Sequence, residues 1–208
     1  MKLHSVIRAF LITTYVVLMS IPLLADDGCP CNDSPPFLQR PPAAEIARLG
    51  RASSANLAKS LGEAHCDIAV EASLILGRRH DARSVRALLS AAEGSRCRVR
   101  EGSVQALHSF RRQDVRAVLI RAIGDGDPRV RTAAARSLSG QDDGDSKATD
   151  ALIAAMSDPS KHLRQAAADS LGHLGNPAAR RVLTRALNDP EKHVRQAAAE
   201  ALGNLRSK

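Results

Sequence analysis

Fifteen residues near the C-terminus of this chain are written almost twice. Asp189-Pro190-Glu191-Lys192-His193-Val194-Arg195-Gln196-Ala197-Ala198-Ala199-Glu200-Ala201-Leu202-Gly203 restates the pattern of Asp158 to Gly172 at an offset of 31 residues. A fixed period of this length, filled with helix-type patterning, predicts a stack of like units, not a globular fold built round one pocket. Such a stack points toward binding and away from catalysis.

The repeat continues toward the N-terminus. The apolar residue that opens the second helix of each unit is Ile68, Val99, Val130, Leu163 and Val194, and a leucine follows two turns later at Leu76, Leu107, Leu138, Leu171 and Leu202. The steps are 31, 31, 33 and 31 residues, and the two extra residues fall in the polar run from Gly140 to Ser146, where a loop absorbs them. Five units are expected, at about 53–77, 81–108, 112–139, 148–172 and 177–206.

Each unit reads as two helices of about three turns. The first covers Ser84 to Ala92, Asp114 to Ile123, Thr149 to Met156 or Pro177 to Leu187, with apolar residues three and four apart. Asp125-Gly126, Asp158-Pro159 or Asp189-Pro190 marks the turn, and the second helix ends near Gly172 or Gly203, which are acceptable C-terminal caps. Neither helix covers its own apolar stripe, so stacking must do so. The runs Ala133–Ala135, Ala166–Ala168 and Ala197–Ala199 act as spacers that let helices approach closely. Residues 43–52 read as a capping helix over the first unit.

Residues 1–25 are of another class. Lys2 and Arg8 precede a largely apolar stretch from Ala9 to Leu24, and Ala25 stands before Asp26-Asp27-Gly28, the pattern of a cleaved secretory signal peptide. An uncleaved membrane anchor is the alternative. The acids before Cys29 argue against lipidation of that cysteine. Cleavage would lower the formal charge from +8 to +6 and leave residues 26–42, a proline-rich extended leader carrying Cys29-Pro30-Cys31. The expected location is periplasmic or secreted, with membrane attachment only through an uncleaved leader.

The run Asp-Pro, three residues, Val-Arg, two residues, Ala-Ala, then Ala-Leu-Gly, as it stands from Asp189 to Gly203, resembles HEAT repeats of the short bacterial kind, also called phycobilisome-lyase-like HEAT repeats. The resemblance spans residues 53–206. It implies an all-α, right-handed α-α superhelix of the HEAT/armadillo type, with about five two-helix repeats behind the signal peptide. It also implies a non-enzymatic adaptor, whose inner surface of second helices holds another protein or protein segment. Carried onto this chain, that surface presents Val70, Glu101, Thr132, Gln165 and Gln196, with Ser73, Val104, Ala135, Ala168 and Ala199 beside them.

Arginine recurs once per unit at Arg100, Arg131, Arg164 and Arg195, with Ala69 breaking the series. One reading is a basic ladder for an acidic ligand. The other pairs each arginine with a turn acid of its own or the neighbouring unit, Asp125, Asp158 or Asp189. A separate cluster from Arg78 to Arg121 holds eleven arginines against four acids. Through Arg83, Arg86, Arg112 and Arg116, that region could attract an anionic envelope component or an acidic partner.

Cys29, Cys31, Cys66 and Cys97 are disulfide candidates, an even number in an exported chain. Cys66 and Cys97 are one repeat apart, too far for a direct bridge between equivalent turns, so the leader is expected to bond to both. A four-cysteine zinc site is the lesser alternative, since the spacings lack the paired C-x-x-C form. His162 and His193 are one unit apart and read as solvated turn positions, and Asp142 to Asp145 lacks EF-hand spacing. No cofactor or metal is expected. Nucleic acid is disfavoured because the chain beyond the leader has no tryptophan or tyrosine to stack on.

The enzymatic alternative is a HEAT-type di-iron hydroxylase of the deoxyhypusine hydroxylase family, or a bilin lyase. The hydroxylase pattern rests on His-Glu pairs. None of His4, His65, His80, His108, His162, His173 and His193 is followed by glutamate.

Overall fold

The computed structural model describes residues 41–63, 65–141 and 146–205. The expected signal peptide, all but two residues of the leader, Cys29, Cys31 and the Asp142–Asp145 run lie outside the described residues. Among those described, the secondary structure is helical throughout. Helix α1 (Ala43–Arg51) precedes five helix pairs: α2 (Ser54–Glu63) with α3 (Cys66–Arg79), α4 (Ala82–Ala92) with α5 (Cys97–Ala106), α6 (Gln113–Ala122) with α7 (Pro128–Leu138), α8 (Ser146–Ala155) with α9 (Lys161–Leu174), and α10 (Arg180–Ala186) with α11 (Lys192–Asn204). A 3-10 turn extends α5 over Leu107–Ser109, and another, Pro177–Ala179, opens α10. No described helix is long and apolar enough to cross a membrane.

Local chemistry explains the helix ends. Asp81 caps α4, accepting hydrogen bonds from the backbone N–H groups of Arg83 and Ser84, while Ser54 Oγ donates to its second oxygen at 2.7 Å. The Ser54 hydroxyl, followed by the Ser84 donors, holds the Asp81 carboxyl down to about 2. Asp127 caps α7, with Pro128 in the first turn where a missing N–H does no harm. At the C-terminal end of α9 the structure corrects the expectation. The helix runs past Gly172 to Leu174, and Gly175, at φ 71°, makes the left-handed cap. Gly172 instead faces α11, where a side-chain carbon added to it would lie 2.7 Å from Ala201 Cα.

Leu76, Leu107, Leu138 and Leu171, one per unit, have no exposed surface, and Leu202 of the last unit is only partly buried. Each leucine that moves from water into the seam between units contributes roughly 1.5–3 kcal/mol before chain entropy is counted. Buried serines tie second helices together: Ser137 Oγ donates to the Val104 carbonyl at 3.1 Å and Ser170 Oγ to that of Ala135 at 2.9 Å. Second helices of successive units pack on one another far more extensively than first helices do. The stack therefore curves with its second helices inside.

Three of the four recurring arginines form rungs between units, while Arg195, in the last unit, donates to the Asp189 and Pro190 carbonyls of its own turn. Arg100 forks onto Asp125 with both bonds at 2.8 Å, Arg164 forks onto Asp189 at 2.8 and 3.0 Å, and Arg131 reaches Asp158 at 3.1 and 3.2 Å. The remaining terminal nitrogen of each donates to two carbonyls of its own turn, Gly94 and Ser95 for Arg100 and Asp158 and Pro159 for Arg164. The aspartates also accept a backbone N–H two residues on. One carboxylate thus shapes its own turn and grips the preceding unit, so the structure favours the pairing reading over a free basic ladder. The pairing reading left open which unit supplies the acid, and it is the following one. Cys66 and Cys97 are both disulfide-bonded, which removes them as thiolate ligands for zinc.

Candidate functional site

The inner face holds a groove of about 590 Å³. Its walls come from three successive second helices: Glu101, Gln105 and His108 from α5 and the turn after it, Arg129, Thr132, Ala133 and Arg136 from α7, and Ser160 and His162 at the start of α9. The closely spaced second helices bring these side chains into one depression, and among the described residues none from a first helix contributes to it.

Of the expected partner-binding residues, Glu101 and Thr132 line this groove. Thr132 is part of its floor, because the residue is buried and its hydroxyl donates to the Pro128 carbonyl of its own helix at 2.7 Å. Gln165 is half-buried and Gln196 exposed, and both lie further along the stack. Val104 is a correction. It has 0 % exposure, as do Ser73, Ala135 and Ala168, so these positions serve the seam between units and cannot meet a partner. From Glu101 a step of three residues turns into the neighbouring helix, whereas steps of four and seven reach Gln105 and His108 on the open strip. The same step of four from Thr132 reaches Arg136. The signal was present in helix periodicity once the width of the open strip is known.

The arginine-rich region is largely committed within the chain. Arg116, at 7 % exposure, belongs to the interior. Arg112 forks onto Asp114 at 2.8 and 3.0 Å, and Arg121 pairs with Glu93. Arg96 donates to the Leu61 and Gly62 carbonyls, and Arg79 to the Gly50 carbonyl. Arg83 and Arg86 stand exposed on α4, away from the groove.

Beside the groove the charge reverses. Asp169 on α9 has its carboxyl pushed up by burial and by the nearby Glu200 charge on α11, against the opposing pull of His173 and Arg136. A carboxylate with a raised pKa destabilises the folded chain when ionised. The penalty is complete above the raised value and vanishes below the ordinary carboxylate range. Asp169→Asn is therefore expected to raise the melting temperature at pH 7.5 and to lose that advantage as the pH falls toward 3.5 in a thermal denaturation series.

Comparison with known proteins identifies the architecture. A family profile described as HEAT repeats matches residues 54–139, 85–158 and 149–208. Among solved structures, the CpcE–CpcF complex of phycocyanin lyase from Nostoc sp. PCC7120 aligns with a TM-score of 0.63 and 22 % identity, covering 85 % of this chain and 71 % of that one. An engineered protein aligns at 0.59 and 18 %, covering 78 % and 88 %. A designed armadillo repeat protein in complex with the peptide (KR)4 aligns at 0.55 and 12 %, covering 78 % and 90 %. At these identities the likeness is one of fold. No curated protein sequence matches significantly.

Proposed function

Since the chain belongs to the HEAT-repeat family, we propose that it is a non-enzymatic, extracytoplasmic scaffold that holds an extended segment of another protein against its inner face. The observation that carries this reading is the groove, about 590 Å³ in volume and lined by polar and small side chains from three second helices. Its open shape, spread over three helices, suits an extended polypeptide, whereas a small molecule needs a deep apolar pocket with a few converging polar groups. A protein of similar fold, the designed armadillo repeat protein, is in complex with a peptide. The extracytoplasmic setting draws support from the leader pattern at residues 1–25 and from the disulfide-bonded state of Cys66 and Cys97, since such bonds persist in oxidising compartments.

The test is co-purification of the tagged mature chain from envelope extract, washed at physiological salt, beside a Glu101→Ala/Arg136→Ala variant. One protein held in stoichiometric amount by the parent and lost by the variant is the expected result. Equal capture by both, or capture by neither, overturns the reading. Peptide mapping under non-reducing conditions checks the leader separately: Cys29 and Cys31 are expected in linkage to Cys66 and Cys97, and free thiols in the leader would refute it.

A further inference from the structure

A terminal unit of a helical stack needs a polar outer face, because no neighbour covers it. The last described unit keeps instead the residues that earlier units bury against their successors. Leu61, Ala92 and Met156 occupy one repeat position at the end of a first helix and are 6 %, 5 % and 8 % exposed. Leu187 occupies it in the last unit at 39 %, the one exposed large apolar side chain among the described residues. Ala135 and Ala168 meet the next second helix with no exposed surface, whereas Ala199 at the same position is exposed. Gly203 repeats Gly172, the glycine that admits the neighbouring helix, and has nothing within 4 Å.

Arg195 adds a charge to this face. One terminal nitrogen donates to the Asp189 and Pro190 carbonyls at 2.7 and 2.8 Å, the same own-turn bonds that hold Arg100, Arg131 and Arg164 in place. In those three the rest of the guanidinium grips the aspartate of the following unit. Arg195 feels the charge of Asp189, but Arg164 already forks onto that carboxylate. Among the described residues Arg195 meets no carboxylate at ion-pair distance.

We propose that this end face is a docking surface, separate from the inner groove, for a helix-pair unit of a partner protein. The partner packs end-on, as one unit packs on the next, and a carboxylate from its turn closes on Arg195. Continuity with the internal seams selects this occupant: at three of them the same positions receive a helix pair that offers an aspartate from its turn. A second copy of this chain fits poorly. Tail to tail, each Asp189 stays on the far side of its unit with Arg164, so two Arg195 guanidiniums would approach with no turn acid between them. Head to tail, α1 already covers the first unit and buries Leu49 there. A partner's carboxylate would form a forked, charge-assisted pair, and covering Leu187 and Leu202 would add the apolar contribution.

The test places the photocrosslinker p-benzoylphenylalanine at Leu187 of the full chain in intact producing cells, with the same probe at exposed Arg83 as control. Irradiation should give an adduct at position 187 that is absent at position 83. Its peptide map should fall on a helix pair of another protein, beside a turn aspartate or glutamate. Arg195→Glu should lower the yield about tenfold, and exchanging the partner's turn acid for arginine should restore it. Gly203→Leu should abolish the adduct by blocking helix approach. The free Gly203→Leu chain should still melt near the parent, since a carbon added there meets nothing within 4 Å. The proposal is overturned if no adduct is specific to position 187, or if mixed isotope labelling shows the adduct to be a second copy. It is equally overturned if the adduct maps to anything other than a helix pair, if it survives both Arg195→Glu and Gly203→Leu, or if the groove variant Glu101→Ala/Arg136→Ala removes it.

Discussion

Gly172→Val is expected to unseat the last unit of the stack while the earlier units stay folded. The first carbon of any side chain at this position would lie 2.7 Å from Ala201 Cα and 2.8 Å from Ala201 Cβ. The obstacle includes backbone, so relief requires α9 and α11 to separate. Overpacking of this kind costs roughly 1–3 kcal/mol for a small intrusion, and the branched valine puts two further methyls at the same contact. A loss of about 3 kcal/mol corresponds to a fall of about 6–12 °C in melting temperature for a chain of this size. Contacts in a solenoid are between nearest neighbours, so hydrogen exchange should accelerate first in α10 and α11 and least in α4 and α5. Gly203, one repeat further, provides the control: a carbon added there meets nothing within 4 Å. Gly203→Ala should be neutral or stabilising by up to about 1 kcal/mol through helix propensity. Equal destabilisation at the two glycines would refute the close-approach account.

Asp125→Ala is expected to cost about 3 kcal/mol, because it leaves the Arg100 guanidinium desolvated and without its carboxylate. The pair is well shielded, with 16 % and 14 % side-chain exposure for Arg100 and Asp125, so solvent screening reduces the effect only modestly. Replacing both partners, Arg100→Met with Asp125→Leu, should recover most of the loss, since apolar residues of similar volume substitute for a buried pair without leaving a charge behind. The pH profile gives an independent check. Burial pushes Asp125 up, but the hydrogen bonds from Arg100 and the Asp127 N–H more than offset it, and the carboxyl lies below its ordinary value. Asp189 is also held low, chiefly by Arg164. A depressed carboxylate contributes stability that is present above the ordinary carboxylate range and lost as the pH falls through the lower folded value. The stability gap between the parent and Asp125→Asn should therefore narrow in urea titrations carried from pH 6 to pH 2.5. A constant gap would show that the rung does not act through charge.

The all-helical stack was legible because leucine and valine recur with the repeat, and the pattern of one unit is corroborated by the next. The arginine rungs were legible as a choice between two readings. Sequence alone did not say that the acid comes from the following unit, because that depends on how far one turn projects over the next. Val104 and Arg116 show where one-dimensional reasoning stopped. Both sit at plausible surface spacings, yet the width of the open strip is set by how closely second helices approach, and small residues such as Gly172 control that distance from elsewhere in the chain. Arg136 and His108 escaped notice for the same reason. They become groove residues only when α5, α7 and α9 are brought side by side.

The rungs begin at Arg100, and the first unit has Ala69 where later units have the arginine. That first part of the stack is also where Cys66 and Cys97 form their disulfides. The two ends are thus secured by bonds with unrelated sensitivities. A reductant should loosen the α2–α5 end and leave the α7–α11 end ordered, whereas acid must fall below the ordinary carboxylate range before it releases the aspartate rungs of the other end. Such a chain can be opened selectively from either side, so that the redox state and the acidity of its surroundings each address a different half of the same continuous surface.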